Sequence, residues 1–95
     1  MIPRVTFVLV VRIPSKGIAE FNAYEQKVLP LLSRHGGQLE RRLKTENGET
    51  EVHILSFASN TSFENYLAEP DRKLYADLLT SSGATFELIK MEDIK

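Results

Sequence analysis

The segment from Val5 to Ile13 is apolar on both faces when extended, and this constrains the possible folds more than any other feature of the chain. Alternate residues of a strand face opposite sides. Val5, Phe7, Leu9, Val11 and Ile13 therefore share one face, while Thr6, Val8, Val10 and Arg12 share the other. Such a strand belongs in the middle of a sheet that is covered on both sides. Arg4 ahead of the apolar run imitates a secretory signal, but the run is short, Arg12 follows it and no small-residue cleavage site is present, so a strand is the better reading. No stretch reaches the roughly 20 apolar residues of a membrane-spanning helix.

With 95 residues the chain is expected to form one domain, 1–95, near the lower end of sizes that bury a sizeable core unaided. A formal net charge of −1 leaves no basic excess to attract nucleic acid, and neither a nucleic-acid nor a membrane partner is expected. The absence of cysteine removes disulfides, thiolate catalysis and thiolate metal sites, a usage compatible with the cytoplasm.

The remaining elements follow from periodicity and punctuation. After Pro14, Ser15 is a candidate N-cap, and Ile18, Phe21, Tyr24, Val28, Leu31 and Leu32 recur at helical spacing to about His35. Pro30 predicts a kink or a tightened last turn, and Gly36 a left-handed cap. A second strand, about Gln38 to Glu46, meets a third, about Glu49 to Ala58, across Asn47-Gly48, a pair suited to a two-residue hairpin turn. That turn sets Lys44 opposite Glu51, Leu43 opposite Val52, Arg42 opposite His53 and Arg41 opposite Ile54. One face then carries Leu39, Arg41, Leu43, Val52, Ile54 and Ser56, and the other Gln38, Glu40, Arg42, His53, Leu55 and Phe57. Thr61 and Glu64 form a candidate capping box for a second helix that Pro70 splits, and Ser81 to Gly83 end it. A fourth strand runs from about Thr85 to Met91.

The order strand, helix, strand, strand, helix, strand is that of the ferredoxin-like α+β fold, βαββαβ. Right-handed crossovers place both helices on one face of a four-stranded antiparallel sheet, with strands one and three central. The bare face then calls for a partner, most simply a second copy of the chain in a homodimer.

Particular residues carry a resemblance at this point. Tyr24-Glu25, Val28 to Leu32, His35-Gly36-Gly37, Leu39, Arg42, Phe57-Ala58-Ser59, Phe63, Tyr66 and Pro70 together resemble the dimeric α/β-barrel superfamily, and within it a small bacterial family of domains of unknown function. The resemblance implies a homodimeric barrel. It also implies kinship with cofactor-independent antibiotic-biosynthesis-type monooxygenases, muconolactone isomerases, haem-degrading monooxygenases and ligand-sensing domains of transcription regulators. The chain lacks the tryptophan on which haem-degrading members rely. Ser56 stands where the resembling family often has an acidic residue, and Arg42 where it often has an arginine.

The candidate ligand-binding residues are Arg42, His53, Glu40 and Arg12, with His53 the candidate catalytic group. A histidine titrating near neutrality beside a cation and a carboxylate can bind an anion or move a proton. The plainer reading is a polar edge strand meeting solvent or the partner. A pocket serving this site is expected to include Arg42, His53, Val8 and Leu55, beside the face of Thr6, Val8, Val10 and Arg12. The two histidines, His35 and His53, are not spaced for a metal, and no cofactor is called for. His35 suits the helix carboxyl end. Tyr24, Tyr66 and Tyr75 read as core residues, although some barrel relatives use aromatic hydroxyls to orient substrates; Asp71-Arg72 reads as a solvated turn, with a loop near the pocket mouth as the alternative. The resulting expectation is a small-molecule-binding homodimer. The alternatives are a cofactor-independent monooxygenase or isomerase acting on a small aromatic or lactone-like substrate, and a structural or regulatory dimer without a ligand site.

Overall fold

A computed structural model describes residues 4–94 of the chain. Strand β1 (Val5–Arg12) pairs antiparallel along one edge with β3 (Thr50–Phe57) and along the other with β4 (Thr85–Met91). With β2 (Gly37–Lys44) outside β3, the strand order is β2-β3-β1-β4. Strands one and three are central, and the fold is ferredoxin-like α+β.

Helix α1 (Ile18–Val28) buries Phe21, Tyr24, Glu25 and Val28, the i, i+3, i+4, i+7 stripe of a helix lying on a sheet. Ser15 does not cap it, because a 3₁₀ turn closed by the Gly17 N–H on the Pro14 carbonyl intervenes. Pro30 has no N–H for an α-helical bond, and Leu29–His35 tighten into a 3₁₀ segment that ends at Gly36 with φ +66°.

The β2–β3 register is the expected one: Lys44 opposite Glu51, Leu43 opposite Val52, Arg42 opposite His53 and Arg41 opposite Ile54. The turn itself is wider than two residues. Residues 45–49 lie outside both strands, the Gly48 N–H donates to the Thr45 carbonyl, and only Gly48, not Asn47, is left-handed. Between Leu39 and Arg41 a bulge inserts Glu40, and this corrects the expected faces. One extra residue reverses the side-chain alternation beyond it. Leu39 is consequently paired with Leu55, and Gln38 with Ser56.

Helix α2 (Asn60–Leu67) is capped by Ser59, whose Oγ accepts from the Ser62 N–H at 3.0 Å, rather than by the Thr61 box. At Pro70 the helix breaks as expected. Glu69 caps a single turn, α3 (Pro70–Lys73), where a proline at the first position loses nothing, and α4 (Ala76–Ser82) follows.

Phe7, Val11, Leu55 and Phe57 of the central strands are buried beneath these helices, together with Phe21, Val28, Leu32 and Tyr66. On the opposite face Val8, Val10, Val52 and Ile54 are only half-buried, and Ile89 and Met91 are exposed. Among the described residues no helix is long and apolar enough to cross a membrane.

Where α1 begins, Gly17 lies against the backbone of Ser82 so closely that a β-carbon would overlap the Ser82 carbonyl. Gly17→Ala is therefore expected to force the two segments apart, costing about 1–3 kcal/mol. Thermal unfolding of this variant should show a midpoint lower by roughly 5–20 °C.

Candidate functional site

The residues of β3 that face the helices, Glu51, His53, Leu55 and Phe57, are buried, although two of them are ionisable. His53 is 1% exposed, and its Nε2 lies 2.8 Å from Glu51 Oε1. The same carboxylate receives Arg42 Nε at 2.7 Å and Arg42 Nη2 at 3.2 Å, a fork-like pair reaching in from the edge strand. Burial raises the Glu51 carboxyl, but the Arg42 and His53 hydrogen bonds outweigh it, and the net displacement is below the usual range. Burial pulls His53 below its usual value, more strongly than Glu51 raises it. At neutral pH His53 is therefore neutral, its Nε2–H donates to Glu51, and Nδ1 retains its lone pair.

His53 faces a cavity of about 220 Å³ between sheet and helices. Its floor includes Leu9, Leu55 and Leu88, and its roof Val28, Phe63 and Leu79. The polar groups on its wall are His53, Glu25, Tyr24, Tyr66 and Arg72. Glu25 occupies a position in the apolar stripe of α1, and desolvation raises its carboxyl from 4.5 to about 7, against the opposing pull of Arg42 and a smaller push from Glu51. Burial likewise pushes the Tyr66 phenol up to about 12. Arg42 and Glu51 also line an outer cleft of about 340 Å³ with Ile18, Asn22 and Lys44. The Arg42–Glu51–His53 chain thus runs from this cleft into the inner cavity.

Of the four expected ligand residues, Arg42 and His53 come together, bridged by Glu51. Glu40 does not join them. Placed by the bulge, its carboxylate accepts from Ser56 Oγ at 2.7 Å on the opposite sheet face, where Arg4 Nε also donates to Ser56 at 2.9 Å. Arg12 and Val8 belong to that same opposite face by the alternation of β1, so the cavity contains Leu9 in place of Val8 and lies across the sheet from the residues beside which it was expected.

His35 does end its helical segment, and its Nε2 lies 3.1 Å from Glu69 Oε1. Tyr24 and Tyr66 are core residues that also line the cavity. Arg72 is not in a solvated turn: its guanidinium stands 4.6 Å over the Tyr66 ring and forms part of the cavity wall. Among the described residues no three carboxylate or imidazole groups converge to hold a metal ion. As site residues Glu25 and Glu51 were not anticipated from the sequence, and Arg72 was set aside in favour of a solvated turn. For Glu25 a signal exists, since a glutamate at a core position of a helical stripe must lose its water.

Glu25 makes stability depend on pH. Between pH 4.5 and about 7 the unfolded chain has released this proton while the folded chain still holds it, so stability falls as pH rises through that window. Glu25→Gln removes the dependence. Denaturant unfolding should show the variant gaining on the wild type by on the order of 3 kcal/mol between about pH 4.5 and pH 8. A difference independent of pH would mean that Glu25 is not desolvated.

No family model and no curated protein matches the sequence. Solved structures do match the fold. SnoaB, a cofactor-independent oxygenase from Streptomyces nogalater, superposes with a TM-score of 0.79 over 97% of this chain and 94% of its own, at 21% identity. A candidate antibiotic biosynthesis monooxygenase from Bacteroides thetaiotaomicron gives 0.80 over 97% and 90%, at 15% identity. A nipsnap family protein of unknown function from Agrobacterium tumefaciens gives 0.71 over 99% and 93%, at 14% identity. At these identities the likeness is one of fold: the chain has the ferredoxin-like α+β fold that these solved structures share.

Proposed function

We propose that this protein is a homodimeric small-molecule-binding protein whose cavity between sheet and helices takes a compact aromatic or lactone-like ligand. The cavity of about 220 Å³ carries this reading, because its wall is mainly apolar and a few polar groups converge on it. An apolar cavity of about 150 Å³ binds benzene. The space here suits a single substituted ring or a small bicycle. The half-buried Val8, Val10, Val52 and Ile54 on the opposite face support the dimer, since a second copy would remove them from water.

A catalytic reading rests on the Glu51-oriented His53 and the buried Glu25 in one apolar space. His53 Nδ1 would take a proton from an acidic C–H of the ligand, with Glu51 holding the ring and stabilising the imidazolium. Return of a proton to another carbon, from Glu25, completes an isomerisation without a co-reactant. In an oxygenation the carbanion would instead pass electrons to dioxygen, a CH₂ becoming C=O with release of water. The fold shared with a cofactor-independent oxygenase supports this second course.

An amide NMR titration with one-ring and two-ring aromatic and lactone fragments tests the binding reading. Shifts are expected at Tyr24, His53, Leu55 and Tyr66, and Leu9→Phe, which fills the cavity, should weaken binding at least about tenfold. Shifts confined to the outer cleft, or none, would overturn it. For a fragment that is turned over, His53→Ala should cost on the order of 10²-fold or more in rate with the assembly intact; an unchanged rate removes His53 from the chemistry. Sedimentation at micromolar concentration should give twice the chain mass, and Val8→Lys a folded monomer.

A further inference from the structure

The guanidinium of Arg72 is held on its face and at Nη1, while its Nε–Nη2 edge has no close partner. Its face rests on the Tyr66 ring at 4.6 Å. Its Nη1 donates at 3.2 Å to the carbonyl of Leu67, the last residue of α2, whose oxygen has no helical partner. Its backbone belongs to α3, which is anchored through Glu69: the Glu69 carboxylate accepts from the Asp71 N–H at 2.9 Å and meets His35 Nε2 at 3.1 Å and Arg34 Nη1 at 3.4 Å.

The remaining edge, formed by Nε and Nη2, is the one on which an arginine grips a carboxylate with two parallel hydrogen bonds. Here Nε is buried with no hydrogen-bond partner, and Nη2 makes a single long contact of 3.5 Å to the Tyr24 hydroxyl. A buried donor left unpaired is destabilising, and a ligand acceptor would remove that penalty. Among the described residues Arg72 is the one permanent cation on the cavity wall, and no ion pair joins it to Glu25, whose carboxyl is largely protonated below neutrality.

We propose that the Nε–Nη2 edge of Arg72 binds a carboxylate of the ligand, which displaces the Tyr24 hydroxyl, so that the ligand class is a small aromatic or lactone-like acid. This rests on the reading of the cavity as a binding site and adds to it the charge of the ligand and the end at which that charge is held. The apolar body of the acid would lie along Leu9, Leu55 and Leu88, with His53 across the cavity wall from the anchor.

Calorimetric titration with benzoate and with its neutral isostere benzamide, at about pH 6 where benzoate is ionised, tests this. The wild type should bind benzoate at least about tenfold more tightly than benzamide, as expected for a hydrogen-bonded charge pair. Arg72→Gln should erase the preference for benzoate over benzamide, and Arg72→Lys, which keeps the charge but not the fork, should retain only part of it. Because Arg72 also supports α2, the selectivity between the two probes is the readout, which a merely structural role would not move. Equal affinities in the wild type, or a preference that survives Arg72→Gln, would overturn the carboxylate anchor while leaving the cavity as a binding site. Binding of neither probe would overturn both.

Discussion

Pairing of β1 along both edges is the constraint from which the rest of the molecule follows. A strand bonded to β3 on one side and β4 on the other cannot rotate about its axis, so its alternate residues are committed to opposite faces. Phe7 and Val11 go under the helices and are buried, whereas Val8 and Val10 go to a face that no helix of the chain covers. Leu9, on the buried side, becomes part of the cavity floor. The position of the pocket is therefore a consequence of sheet pairing before any polar residue is considered.

The polar residues under the helices form two kinds of arrangement. Arg42, Glu51 and His53 satisfy one another in a chain of short hydrogen bonds, so that a carboxylate and an imidazole persist where water does not reach. Removing one member would leave its neighbour charged or polar without a partner, which is the costly case for buried groups. Glu25 and Arg72 are the opposite kind, a carboxyl raised by desolvation and a guanidinium with an unpaired donor. Incompletely satisfied groups beside an apolar cavity are the ones that gain most from a bound partner, which is why the proposed binding reading centres on them. The fold itself is shared among solved proteins that differ in described role, so chemistry has to be read from such groups and not from topology.

Much of the architecture was legible in the sequence because it depends on short-range rules. The two-sided apolarity of Val5 to Ile13, the proline at position 30, the left-handed Gly36 and the break at Pro70 each act within one or two turns, and each predicted the element that is observed. Even the pairing of Arg42 with His53 followed from centring the hairpin on Asn47-Gly48, although the turn is wider than expected. The single residue inserted at Glu40 was not legible. A bulge leaves no mark in hydrophobic periodicity when the doubled residues, here Glu40 and Arg41, are both charged, yet it carried Glu40 to the other face and left it against Ser56.

By itself the sequence determined the element order, the strand order and the need to cover both faces of β1, since these follow from alternation, helical spacing and the fixed hand of crossovers. Tertiary structure alone decided that Glu51 sits between Arg42 and His53, that Arg72 leaves its turn to wall the cavity, and that Arg12 and Glu40 lie across the sheet from it. Those outcomes depend on which side chains meet through space, over separations as long as the 48 residues between Tyr24 and Arg72. Desolvation, which raises the Glu25 carboxyl and lowers the His53 imidazole, is a property of that assembled interior and of no local stretch of the chain.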